Sequence, residues 1–350
     1  MNSPARPALR VALVLVSLAA FGLDATAHGQ QAADDVRERE RAAARRGRAW
    51  LVAAQGSDGS WGSAAFRGSA AVTAQAVMAL VAGGSTPSSG ADATSVARGI
   101  DMLVASAAAD GLIAGREQAA HGPMYGHAYA TLALAEVYGE TDRDEEIAAI
   151  LARARDLIER TQNHEGGWRY QPRPSEADAS VTAAMVIALR GLNNSGFAVS
   201  TDTVDRAVAY LLRLQNDDGG FRYLTAAGPG APPRTAAALF ALLAANAAGP
   251  ATERGFAWLA DHPVTLGSAD GYAMYGLAHA AAAHWLRDDA SWKAWHAAAI
   301  RPLLDAQQAD GSWRDPSCAE YGTSAALTVL QMADGLSPLF HRPARGEAPE

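Results

Sequence analysis

At 350 residues, 49% of them hydrophobic, the chain has ample material for a large buried core. Its net charge of −8, with every basic residue an arginine except Lys293, leaves no clustered positive stripe and argues against nucleic acid as a partner. The single cysteine, Cys318, excludes an intrachain disulfide.

Residues 1–27 read as a secretory signal. Arg6 and Arg10 precede the apolar run "VALVLVSLAAFGL", and Ala25-Thr26-Ala27 supplies a small-residue cleavage site. The 13-residue apolar run is shorter than the roughly 20 residues that span a bilayer as a helix. The expectation is export to the periplasm or the extracellular space, with no integral membrane segment after cleavage. The mature body is expected over 28–340, followed by a disordered tail at 341–350. The first mature segment, "DDVRERERAAARRGR", mixes charges of both signs and reads as the solvated face of a helix.

From there one phrase recurs. "WLVAAQGSDGSW" ends at Trp61, "LIERTQNHEGGW" at Trp168, "YLLRLQNDDGGF" at Phe221 and "LLDAQQADGSW" at Trp313. The acidic-Gly pairs begin at Asp58, Asp110, Glu165, Asp218 and Asp310, and the long last interval leaves room for one degenerate unit. Each unit reads as a charged, amphipathic helix, a glycine turn, a loop and a second helix that is apolar nearly all round. Such second helices start at Val72, His127, Val181, Thr235, Tyr275 and Thr323. A helix apolar on every face is normally buried. The second helices therefore belong inside, the charged ones outside, and six stacked hairpins bury what none buries alone. The predicted fold is all-α, an (α/α)6 toroid of six helical hairpins.

The Gln-x-x-Asp-Gly-Ser-Trp phrase resembles the QW motif of the terpenoid cyclase and protein prenyltransferase superfamily, over about residues 40–340. That resemblance implies the same toroid. It also implies structural roles for Gln55, Gln162, Gln215 and Gln307, whose amides suit the unpaired backbone groups at helix ends.

The loops leading into the inner helices converge on one rim, which carries His121, Tyr125, His127, Arg234, Tyr272, Tyr275, Cys318, Glu320 and Tyr321. Within "SEADASVTA" (175–183), the resemblance to class II terpene cyclases sets Asp178 on the middle Asp of Asp-x-Asp-Asp-Thr-Ala, the residue that protonates the substrate. Glu176 then falls on the first Asp and Ser180 on the Thr, while Ala179 departs from the pattern. A neighbouring carboxylate such as Glu176 keeps an acid protonated. Asp178 and Ser180 equally fit as caps of the helix at Val181. The remaining cavity candidates are Tyr125, His127, Tyr272, Tyr275, Tyr321 and Glu320, with Tyr129 and Phe240 as further aromatics. No cofactor is expected. A zinc set of Asp315, Cys318 and His127 or His279 lacks the prenyltransferase spacing, and Cys318-Ala319-Glu320-Tyr321 does not match a thioester motif. The expected partner is an apolar, isoprenoid-like small molecule. A non-catalytic scaffold and an (α/α)6 carbohydrate-active enzyme remain as alternatives, and the shape of the central cavity decides among the three.

Overall fold

A computed structural model describes residues 34–116, 122–267 and 271–341. The expected signal segment at 1–27, His121 and residues 342–350 of the tail lie outside them. Among the described residues there are twelve α-helices and no β-strand. The outer helices are α1 (34–53), α3 (Ala93–Ala105), α5 (Asp144–Thr161), α7 (Thr201–Arg213), α9 (Pro250–Asp261) and α11 (Asp289–Asp305). They alternate with the inner helices α2 (Ala70–Ala82), α4 (Met124–Val137), α6 (Ala179–Asn194), α8 (Pro232–Ala244), α10 (Ala273–Arg287) and α12 (Ala319–Gln331).

Each inner helix packs on the next, and α12 packs on α2, so the ring is closed. Residue composition explains the two layers. The inner α6 is buried from Ala179 to Leu189 without a break, whereas α7 buries only Thr203, Ala207, Tyr210 and Leu211 along one stripe. No described helix is long and apolar enough to cross a membrane.

The repeated phrase is the joinery. Gln55 Nε2 donates to Gly59 O at 2.9 Å in its own turn and to Ser95 O at 2.9 Å in the next outer helix. Gln162, Gln215 and Gln307 repeat this pattern with Thr203, Ala251 and Ala43 as the distant acceptors. The turn glycine is required by contact as well as by conformation. At Gly166, φ is +93°, and a Cβ there would lie 2.5 Å from the Arg206 carbonyl of the next outer helix.

The turn tryptophans hold the inner helix to the outer one. The indole N–H groups of Trp61, Trp168 and Trp313 donate to Leu51 O, Ile158 O and Leu303 O, ten residues earlier in each case. Their backbone N–H groups donate to the hydroxyls of Thr73, Thr182 and Thr323 on the following inner helix, and Phe221 N does the same to Thr235. This repeat threonine, or the residue that replaces it, marks the register of the inner helices.

The far end of the ring is stoppered by the chain itself. The turn Pro338–Phe340 packs on α6 and α10 near the inner-helix C-termini. Glu136 accepts from the Ser337 hydroxyl at 2.5 Å and from Leu339 N at 3.2 Å, and Trp285 Nε1 donates to Phe340 O at 2.8 Å.

Candidate functional site

All six inner helices present their N-termini to one end of the ring, where a cavity of about 650 Å³ opens. Two residues before the repeat threonine or its equivalent, the units place Ala71, Tyr125, Ser180, Pro233, Tyr275 and Tyr321, and all six line the cavity. Two residues after the turn aromatic come Tyr170, Tyr223 and Asp315, which line it as well. Tyr129, one helical turn below Tyr125 and stacked on it at 6.3 Å, extends the wall inward. Tyr272, 61% exposed, stands at the mouth. Seven of the chain's nine tyrosines therefore face one space. The phenol rings offer apolar area and negative π-faces, the surface that best suits an apolar chain or a developing cation.

Asp178 lies against this wall, behind Ser180, and has no exposed surface. It is the N-cap of α6. Oδ1 accepts from Ser180 N and Val181 N, both at 2.9 Å. Oδ2 is buried without a hydrogen bond, and Arg169 Nε lies 3.9 Å from it. Burial raises the Asp178 pKa to about 6, against the opposing pull of the two amides, of Arg169 and of the Tyr223 hydroxyl. Tyr170 and Tyr223 meet hydroxyl to hydroxyl at 2.5 Å, and the Arg169 guanidinium lies over both rings. The site thus holds a desolvated carboxyl, one oxygen of which makes no hydrogen bond, behind the wall of a tyrosine-lined cavity.

Comparison with known proteins bears on the fold that carries this site. Residues 136–276 match the family model of the squalene-hopene cyclase C-terminal domain. Among solved structures, a substituted form of the type II terpene cyclase MstE from Scytonema, in complex with its product merosterolic acid A, aligns with a TM-score of 0.61. The identity is 18%, over 86% of this chain and 99% of that one. The chain has the toroid fold of that cyclase. A protein from Actinoplanes aligns at TM-score 0.58 and 20% identity, over 83% of this chain and 98% of that one. A glycosidase aligns at 0.56 and 15%, over 86% and 98%. At these identities the likeness of the solved structures is one of fold. No match was found among curated proteins.

Within this toroid, Tyr125, Tyr272, Tyr275 and Tyr321 come together at the cavity, and three other candidates do not join them. His127 is a wall residue. It occupies the repeat threonine position of the second unit, and its Nδ1 accepts from Ile113 N at 3.2 Å in place of the hydroxyl. Burial lowers its pKa to about 4, so it is a neutral acceptor. Glu320 is buried in the wall, where it accepts from the Ser63 hydroxyl at 3.0 Å. Glu176 is exposed and pairs with Arg169 at 2.7 Å, so burial and not a neighbouring carboxylate raises Asp178.

Phe240 is also absent from the cavity. It packs on Phe340 and His279 toward the stoppered end. Burial pushes the Cys318 thiol up to about 11. Among the described residues, no three His, Cys, Asp or Glu side chains are grouped to hold a metal ion. Tyr170 and Tyr223 are the cavity residues that sequence reasoning missed. Their signal was present in the shared phrase, as the second residue beyond Trp168 and Phe221.

Proposed function

We propose that the cavity binds a linear isoprenoid and that Asp178 starts its cyclisation or isomerisation by donating a proton to an alkene. The observation that carries this reading is the pairing of a tyrosine-lined cavity with a buried carboxyl behind its wall, whose Oδ2 makes no hydrogen bond and has only Arg169 Nε near it, at 3.9 Å. A proton leaves the Asp178 carboxyl for an alkene carbon, and the resulting carbocation is held among phenol ring faces. Loss of a proton elsewhere in the skeleton regenerates an alkene, so the product is an isomer of the substrate. The Oδ1 hydrogen bonds to Ser180 N and Val181 N fix the carboxyl while the proton moves.

Two features favour this reading over its alternatives. A cavity plugged by inner-helix side chains would favour a scaffold, and this one is open and lined mostly by apolar surface. A carbohydrate enzyme usually needs a pair of carboxylates at the sugar together with polar groups for its hydroxyls, whereas the described lining is mostly tyrosine, alanine and glycine with Asp315 as its carboxylate. Merosterolic acid A and geranylgeranyl dihydroxybenzoate, the product and substrate bound in complexes of the Scytonema cyclase, are of the class proposed here. We further propose that the protein acts after export, on the strength of the N-terminal signal pattern.

The test is turnover of a panel of linear isoprenoids by the purified protein and by Asp178→Asn, which keeps the helix cap. Cyclised or double-bond isomers from the parent and none from Asp178→Asn support the role. Equal turnover by both removes Asp178 from the chemistry.

A further inference from the structure

Asp315 is the carboxylate of the cavity lining, and it stands where the other clear units carry none. Two residues beyond the turn aromatic or its equivalent, those units have Ser63, Gly115, Tyr170 and Tyr223, and the sixth has Asp315. Its position is fixed from two sides. Oδ1 accepts from Ser317 N at 2.8 Å. The first turn of α12 presses against it as well, since a Cβ added at Gly322 would lie 3.0 Å from the Asp315 Cβ. Burial raises its pKa and the Ser317 amide and hydroxyl lower it; no arginine among the described residues contributes. A half-buried carboxylate beside phenol rings, with no cation of its own, is costly to hold. Positive charge arising in the cavity offsets that cost.

The ring sets this carboxylate opposite the proton donor. Each inner helix packs on the next, so α6 and α12 are three places apart in either direction. With about 8–10 Å between neighbouring helices, opposite axes of a ring of six lie roughly 16–20 Å apart. Asp178 caps α6, and Asp315 lies in the loop entering α12. The two carboxyls also differ as an acid and a base must. Asp178 is sealed, whereas Asp315 is half-exposed and sheds a proton to water more readily.

We propose that Asp315 is the catalytic base that ends the reaction, taking the last proton from the carbocation on the side of the cavity opposite Asp178. This rests on the proton-donor reading of Asp178 and adds the residue that decides which alkene is released. The C–H bond next to the cationic carbon breaks, its electron pair becomes the new C=C bond, and the proton passes to the Asp315 carboxylate. Asp315 then yields that proton to water, and Asp178 regains one from solvent before the next turnover. The Asp178 carboxylate, left behind the wall, is poorly placed to reclaim a proton from the far side.

The test is product analysis by mass spectrometry for farnesol, geranylgeraniol and squalene, incubated with the parent, Asp315→Asn and Asp315→Ser in D2O. Asp315→Asn keeps an acceptor for Ser317 N, and Asp315→Ser installs the residue of the first unit, so both are expected to fold. The parent should release an alkene isomeric with its substrate apart from the deuterium. In both variants the cation, lacking its base, is captured by water or loses a proton elsewhere. The ratio of water adducts and other double-bond isomers to the parent's alkene should rise about tenfold or more. These diverted products should still carry solvent deuterium, because Asp178 still starts the reaction. An unchanged product ratio in both variants overturns the base assignment and leaves Asp178 as donor. So does a parent whose own main product is the water adduct, or loss of all substrate consumption by the folded variants, which places Asp315 before the cation forms. If the folded parent converts none of the three probes, the donor reading fails and the base assignment with it.

Discussion

The side-chain amide of Gln307 donates to the carbonyl of Ala43 at 2.9 Å, joining the sixth unit to the first across 264 residues of sequence. The same amide donates to Gly311 O at 2.9 Å, and the Arg46 guanidinium donates to its carbonyl oxygen. Closure of the ring thus uses the bond that joins neighbouring units elsewhere. Gln307→Ala leaves two backbone carbonyls without this donor, an expected loss of about 1–3 kcal/mol. Urea unfolding measures the loss, and hydrogen exchange locates it. Amides of α1 and α11 should exchange faster than those of α6 and α7. A uniform change around the ring would contradict a closure role.

His127 offers a sharper contrast between two substitutions at one site. His127→Thr restores the repeat residue and its hydroxyl acceptor, and is expected to be neutral or stabilising. His127→Ala strands the buried Ile113 N–H and is expected to cost about 1–3 kcal/mol. Neither variant should change ligand affinity, because His127 does not line the cavity. A loss of ligand binding in His127→Thr, with the fold intact, would return the imidazole to the site.

The chain displays its architecture in the sequence more openly than its site. The Gln, Gly and Trp of each turn are spaced by backbone geometry, so their recurrence reveals hairpin corners, alternation of layers and unit number. Site residues have no such obligation to repeat. Tyr125, Tyr275 and Tyr321 were legible because each opens an inner helix beside a glycine. Tyr170 and Tyr223 sit in loops whose direction depends on the turn before them. His127 looked chemical by residue type, and only its register against Thr73, Thr182, Thr235 and Thr323 reveals it as their substitute. Glu176 and Asp178 are two residues apart, yet one faces solvent and the other is sealed. Their sequence spacing carries no sign of that difference, which arises from how the loop meets the cap of α6.

Asp178 predicts a trade between stability and activity. Its folded pKa, near 6, lies above its ordinary value of 3.8. A carboxyl shifted in this direction adds stability that is complete below about pH 4 and is lost as pH rises through about 6. The loss above that range is on the order of 3 kcal/mol. Asp178→Asn keeps the cap and has no charge to bury. The variant is expected to be the more stable protein at pH 7, with the margin vanishing toward pH 4. His127, His279 and His284 have pKa values depressed to about 4 by burial, so they act oppositely and weaken both proteins in acid. The informative quantity is therefore the difference between the two unfolding free energies at each pH.

Phe340 closes the end of the ring opposite the cavity, buried against Phe240. Phe340→Ala leaves a void there, at an expected cost of about 3–5 kcal/mol. Calorimetric melting reads this directly. A change under about 0.5 kcal/mol would mean that the terminal turn is not part of the folded body.

Deuterium incorporation during turnover in D2O tests the central claim most directly. The parent protein, incubated with linear isoprenoids and followed by mass spectrometry, should yield an isomeric product carrying one solvent deuterium per molecule. Incorporation should rise as pH falls through about 6, where Asp178 becomes protonated, and should be absent in Asp178→Asn. An isomeric product free of deuterium, or the same labelled product from the parent and from Asp178→Asn, would contradict proton donation by this carboxyl.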